Sequence, residues 1–405
     1  MEIQFKSEFF KRIFQSDVFT DEMAKEKNLR VCIDLHSLLF LTEEIIEDYK
    51  MILDNSKGIE NVYFSRISGD LIKKFLQHGV NGKKIGILVT KLPENLFNDV
   101  DESALAGVEE LSFSACKKLK DKPTKLAGIE KFKNLKELVF FDSDGIDIED
   151  FLSKCSNKDK LEKITLSKKL PNPNIIKDYI GIKSIQIVDI DDPKALKNFL
   201  EALPLESLTE IQIMNCNLEL LSEDIISRLS NLETLTLANN SKVNYEGILK
   251  VLPNNALKNL EIRPETIEGK GKKEFDIELL KKFSLETLKL HACKLDYTKF
   301  KDSVDNRKLT KLFLNDCGVG DLKFLEDYRI SDISIFQDDI DFAVLTPELA
   351  KNLKNIRLID NKTQEKVITR GLYRDKDDRV HAPEITFNIT DGSLAKIEPL
   401  LKNIS

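Results

Sequence analysis

The sequence predicts an α/β solenoid, with short parallel strands stacked into one concave sheet and a mainly helical layer on the convex side. Three observations predict it. Apolar residues recur at positions 1, 4 and 6 of a short motif, often with Cys or Asn at position 9 and another apolar residue at position 11. Successive copies start about 21 to 29 residues apart, the interval of a stacked structural repeat. Between the copies lie helix-start signals. A globular core stops growing well short of this length of 405 residues, whereas an array whose members touch only their neighbours extends without a growing interior.

The clearest copies are Leu285, Leu288, Leu290, Cys293, Leu295 and Leu309, Leu312, Leu314, Cys317, Val319. Upstream stand Leu208, Ile211, Ile213, Cys216, Leu218 and Leu232, Leu235, Leu237, Asn240; downstream stand Ile330, Ile333, Ile335 and Leu353, Ile356, Leu358, Asn361. Weaker copies begin at Ile59, Val108, Leu135, Leu161, Ile182 and Leu257, and degenerate ones are expected at Ile33 with Leu35, Ile85 with Ile87, and Ile385 with Phe387. The total is about fifteen, where a single match would mean little.

Each element follows from this layout. Alternation between positions 4 and 6 gives a strand whose apolar side chains point inward while its neighbours point to the other face. Asp192-Pro193 and Thr346-Pro347 each place a capping residue before a proline, whose missing N–H costs nothing in a first helical turn. Ser222, Asn244, Asp276 and Asp296 read as further caps.

On these residues the chain resembles the leucine-rich-repeat superfamily over about residues 30 to 390, and Cys116, Cys216, Cys293 and Cys317 at position 9 are similar to its cysteine-containing subclass. The resemblance implies a horseshoe in which the position-9 side chain bonds backbone groups inside the turn that ends each strand. It also implies protein binding on the concave face.

The open ends of such an array need covers. Residues 1–29, with Phe5, Phe9, Phe10, Ile13 and Phe14 near one helical face, predict an amino-terminal helical cap, and residues 391–405 a matching carboxyl-terminal one. Between them, residues 362–383 form a charged insertion carrying Arg370, Arg374, Arg379 and His381, either a surface hairpin or an arm that folds over a partner.

Composition narrows the function. With 41% hydrophobic and 32% charged residues the chain is that of a folded protein, and its net charge of -7, with cations and anions interspersed, argues against nucleic acid. No apolar run approaches the ~20 residues of a membrane span, and the first residues lack a secretory pattern. A cytoplasmic monomer is expected, or one delivered into a host cell without a cleaved signal. The six cysteines show no metal spacing and read as free thiols. Phosphate-loop, dinucleotide and hydrolase motifs are absent and the four histidines are scattered, so neither enzyme chemistry nor a cofactor is expected.

The outward positions of the concave sheet are then the binding candidates: Lys289, His291, Phe313, Asn315, Phe336 and Arg357, and as a second group Val139, Phe141 and Met214. An exposed aromatic pair, Phe313 and Phe336, inside a polar and basic rim is the make-up of an interface anchor. The expected function is a non-enzymatic scaffold. The Lys-, Ile-, Asn- and Phe-rich composition without Trp fits an AT-rich genome and an effector-like protein of an intracellular bacterium. The alternative is a substrate receptor of a ubiquitin ligase, prompted by Leu92-Pro93-Glu94-Asn95-Leu96-Phe97, which resembles the opening of an F-box.

Overall fold

The computed structural model describes residues 59–338 apart from 81, 89–90, 119–120, 254–255, 266–271 and 321, with side chains described over 61–335; outside that range it gives the backbone of seven short strands. The chain packs as two compact units, Met1–Pro204 and Leu205–Ser405.

In the first unit, strands β1 (Glu2–Phe5), β2 (Leu29–Asp34), β3 (Ile59–Ser65), β4 (Lys84–Leu88), β5 (Glu110–Ser114), β6 (Glu137–Phe141), β7 (Lys163–Ser167) and β8 (Ser184–Val188) form a run in which each pairs in parallel with the next. The motif sets the register: Val62, Ile85, Leu111, Leu138, Ile164 and Ile185 share one row, and Phe64, Ile87, Phe113, Phe140, Leu166 and Ile187 the other. All are buried. Among them Phe113 and Phe140 stack at 5.6 Å, and Phe151 from the following helix meets both edge-on, the geometry that ring quadrupoles favour.

In the second unit, β9 (Glu210–Met214), β10 (Thr234–Asn240), β11 (Asn259–Pro264), β13 (Thr287–His291), β15 (Lys311–Asn315), β16 (Asp332–Asp338) and β17 (Asn355–Asp360) continue the same parallel pattern. Two short strands, β12 (Lys273–Glu274) and β14 (Cys293–Lys294), pair beside it.

Helices on the core side are short. Pro193–Glu201 is capped as predicted, with Asp192 accepting from the N–H groups of Lys194 and Ala195. Asn244 caps Tyr245–Val251 and Ser222 precedes Glu223–Ser227, while Asp276 and Asp296 cap 3-10 turns rather than α-helices. Thr346-Pro347 lies outside the described residues.

Nine of the strands end in the same turn, and β11, with Pro264 at position 8, departs from it. Position 8 has positive φ, between 49° and 66°, at Arg66, Ala115, Asp142, Lys168, Asp189, Asn215, Asn239, Ala292 and Asp316. This left-handed residue turns the chain inward and delivers position 9 beneath the sheet. There Cys317 Sγ donates to the Leu290 carbonyl of the preceding rung at 3.2 Å, Cys116 Sγ to that of Ile87 at 3.9 Å, Ser143 Oγ to that of Phe113 at 2.9 Å and Asn240 Nδ2 to that of Ile213 at 2.8 Å. The described cysteines are free and buried. Within each unit, strand order, register and turn are those of the parallel repeat array that the sequence predicts.

Three expectations change at the ends. Residues 2–5 are a strand rather than part of a helical cap; Ile3 and Phe5 alternate with polar residues, a period-two signal that competes with the helical one. In β2 the inward positions are Val31 and Ile33, opposite Val62 and Phe64, not Ile33 and Leu35. Beyond β17, β18 (Val367–Arg370) runs antiparallel to it and β21 (Thr386–Asn388) antiparallel to β18, so Phe387 does not sit on a further parallel rung. A parallel return needs a crossover of a dozen or more residues. Within the charged insertion, β19 (Tyr373–Arg374) and β20 (Val380–His381) form a small hairpin. The remaining residues of both predicted caps lie outside the described ones.

Candidate protein-binding face

With positions 4 and 6 in the core, positions 3, 5 and 7 stand on the open face of the sheet. In the second unit, register places Glu261, Lys289, Phe313 and Ser334 in one row, and His291, Asn315 and Phe336 in the next, with Arg263 at the same height on β11. Phe336 is therefore opposite Asn315 and one step diagonal from Phe313, and Arg357 lies opposite Ser334. The side chains of Phe336 and Arg357 are outside the described ones.

The described members meet around His291. Its ring lies 4.9 Å from that of Phe313, its Nε2 is 3.4 Å from Arg263 Nη2 and 3.7 Å from Glu261 Oε1, and its Nδ1 is 3.4 Å from Asn315 Nδ2. Glu261 also takes Lys289 Nζ at 3.2 Å and stands 3.8 Å from Arg263. Although it points to the open face, His291 is only 4% exposed. Burial pushes its pKa down to about 4, Arg263 and Lys289 push the same way, and Glu261 opposes them. The imidazole is thus neutral near pH 7. Two buried polar atoms in this cluster, Arg263 Nε and Asn315 Oδ1, have no hydrogen-bond partner.

Reading outward columns finds Glu261 and Arg263 on this face but does not show that they converge on His291, because they precede it by a whole repeat. Lys289, His291, Phe313 and Asn315 are brought together as neighbours. Met214, half-buried on β9, lies beside Ala238 instead.

In the first unit the face has a different character. Val139 is half-buried and Phe141 is 43% exposed on β6, with Tyr63 on β3 and Leu88 on β4 exposed to a similar degree. Between them the rows hold small side chains: Tyr63, Gly86, Ser112, Val139 in one and Ser65, Leu88, Ser114, Phe141 in the other. The Tyr63 ring occupies the space beside Gly86, where a Cβ would fall 2.3 Å from Cδ1. Ion pairs border the strip, Lys84 with Glu110 at 2.6 Å and Lys163 with Glu137 at 2.8 Å. Leu88 and Gly86 were not singled out from sequence; a glycine beside an outward tyrosine is the signal that could have found them.

Among the described residues no cluster of three or more His, Cys, Asp or Glu side chains could hold a metal, and no helix is long and apolar enough to cross a membrane.

No family model matches the chain, and no curated protein matches it. Among solved structures it is similar to the leucine-rich repeat-containing protein LegL7 from Legionella pneumophila, at 12% identity over 100% of this chain and 98% of that one, with a TM-score of 0.32.

Proposed function

We propose that this chain is a binding scaffold rather than a catalyst, and that it holds a partner protein against the open face of its sheet. One observation carries the reading. Tyr63, Leu88 and Phe141, three large apolar side chains left about two-fifths exposed, stand together on that face of the first unit, separated by glycine and serine. Apolar side chains gathered on one surface instead of scattered are what interaction sites look like, and removing a phenylalanine from water contributes roughly 1.5 to 3 kcal/mol.

The environment of His291 supports binding over catalysis. Its ring is covered by Phe313, it is almost fully buried, and the carboxylate beside it is engaged by Lys289. The segment that prompts the ubiquitin-ligase alternative packs into the core of the first unit, which favours the scaffold reading. Leu92, Leu96 and Phe97 are buried, and the Lys131 ammonium donates to the carbonyls of Phe97, Asn98 and Val100, so the segment is part of the repeat core.

The test is co-purification from cell lysate with the intact chain beside a Tyr63→Ala, Phe141→Ala double variant of equal circular dichroism. A partner depleted at least tenfold with the variant supports the reading, since two truncated anchors remove about 2 kcal/mol or more. A partner retained unchanged places binding elsewhere.

A further inference from the structure

Within the scaffold reading, on which this step rests, the second unit differs from the first in charge. Over β11, β13 and β15 the open face carries Arg263, Lys289 and Lys311 against Glu261, with Asp332 of β16 in register with Lys311, while the whole chain is net -7. Glu261 is already contacted by Lys289, Arg263 and His291. Lys289 and Lys311 remain exposed. Half-buried Phe313 lies between them, on the row of Lys289 and two residues along the strand from Lys311. Arg263 Nε and Asn315 Oδ1 are buried without partners beside His291. The local field is positive enough that Arg263 outweighs Glu261 at the His291 imidazole.

We infer that this patch docks an acidic segment of a partner protein, with carboxylates meeting Lys289, Lys311 and Arg263 and an apolar side chain between them packing on Phe313. Charge complementarity selects the occupant. The three cations lie on a diagonal over three adjacent strands, about 10 Å across the strands and about 13 Å along them, about 16 Å in all. That matches a few residues of extended peptide, which advances ~3.3 Å per residue. Nucleic acid is disfavoured, because tracking a phosphate backbone needs a longer basic stripe.

The probe is a capped, fluorescein-labelled pentapeptide of four glutamates around one phenylalanine, with a control in which lysines replace the glutamates. Anisotropy is read with the full chain at low and high salt. The acidic probe is expected to bind, to weaken about tenfold between 50 and 500 mM salt as screening shortens the range of each charge, and to weaken at least tenfold with Lys289→Glu, Lys311→Glu. Both positions are exposed, so folding is preserved, with circular dichroism as the check. Tyr63→Ala, Phe141→Ala should leave this binding unchanged. In a chain carrying labelled histidines, the His291 signal should titrate at higher pH with the acidic probe bound, since an added anion opposes Arg263 and Lys289 and reinforces Glu261.

Equal binding of the two peptides, binding indifferent to the charge reversal, no binding at millimolar probe, or an oligothymidylate bound as tightly would each overturn the inference. A lysate partner held on the first unit's face while the acidic probe fails leaves the scaffold reading standing and removes this one alone.

Discussion

Asn240 joins two rungs by both ends of one amide. It is 2% exposed, its Nδ2 donates to the Ile213 carbonyl at 2.8 Å, and its Oδ1 accepts from the Cys216 N–H at 2.9 Å. Asn240→Ala leaves a buried carbonyl and a buried N–H unpaired at once, each costing about 1–3 kcal/mol, for a total of about 2–6 kcal/mol. Asn240→Cys separates the two halves. A thiol at this position donates to the preceding rung in Cys317, but it cannot replace the acceptor for Cys216 N–H. It should therefore recover roughly half the loss. The assays are urea unfolding and hydrogen exchange at the Cys216 amide, which should lose protection in both variants. An alanine variant costing under about 1 kcal/mol, a cysteine variant no better than alanine, or an amide that stays protected would refute the account of position 9 as the tie between rungs.

Phe140→Ala removes a ring that meets both Phe113 and Phe151 in a fully buried layer, and should cost about 3–5 kcal/mol by urea unfolding. Ala292→Gly should be neutral or stabilising by up to about 1 kcal/mol, the reverse of the usual direction, because Ala292 sits at φ 50° where a Cβ is strained; a loss above 1 kcal/mol in the thermal midpoint would contradict this. For His291 the folded pKa of about 4 lies below the ordinary value of about 6.5. The folded state thus favours the neutral ring. This contribution is fully present above pH 6.5 and is lost as pH falls towards 4, up to about 3 kcal/mol. His291→Gln should flatten the stability profile over that window, and an unchanged profile would assign the acid sensitivity to other groups.

How much was legible follows from which contacts are local. The inward rows at Leu111, Leu138 and Ile164 were readable because parallel stacking repeats one short-range rule, and position 9 because the same turn recurs after nine of the strands. The ends were not. There the rule meets competing periods, as in residues 2–5, or the direction reverses, as at β18, and no residue type announces which outcome prevails.

The open face shows a sharper limit. Strand alternation tells which side a residue faces but not how deep it lies. Lys289 and His291 occupy equivalent outward positions two residues apart, yet one is exposed and the other is 4% exposed. The difference comes from Arg263, Phe313 and Asn315 on the flanking rungs, each a whole repeat away in the chain. Similarly, the Tyr63 ring can take its place only because the next rung offers Gly86. Each outward side chain of such a sheet is therefore governed by the same-height residues of the rungs on either side. Swapping Gly86 for valine should redirect Tyr63 without changing a residue of β3; an unmoved Tyr63 ring in a structure of that variant would show that depth on this face is set within the strand after all.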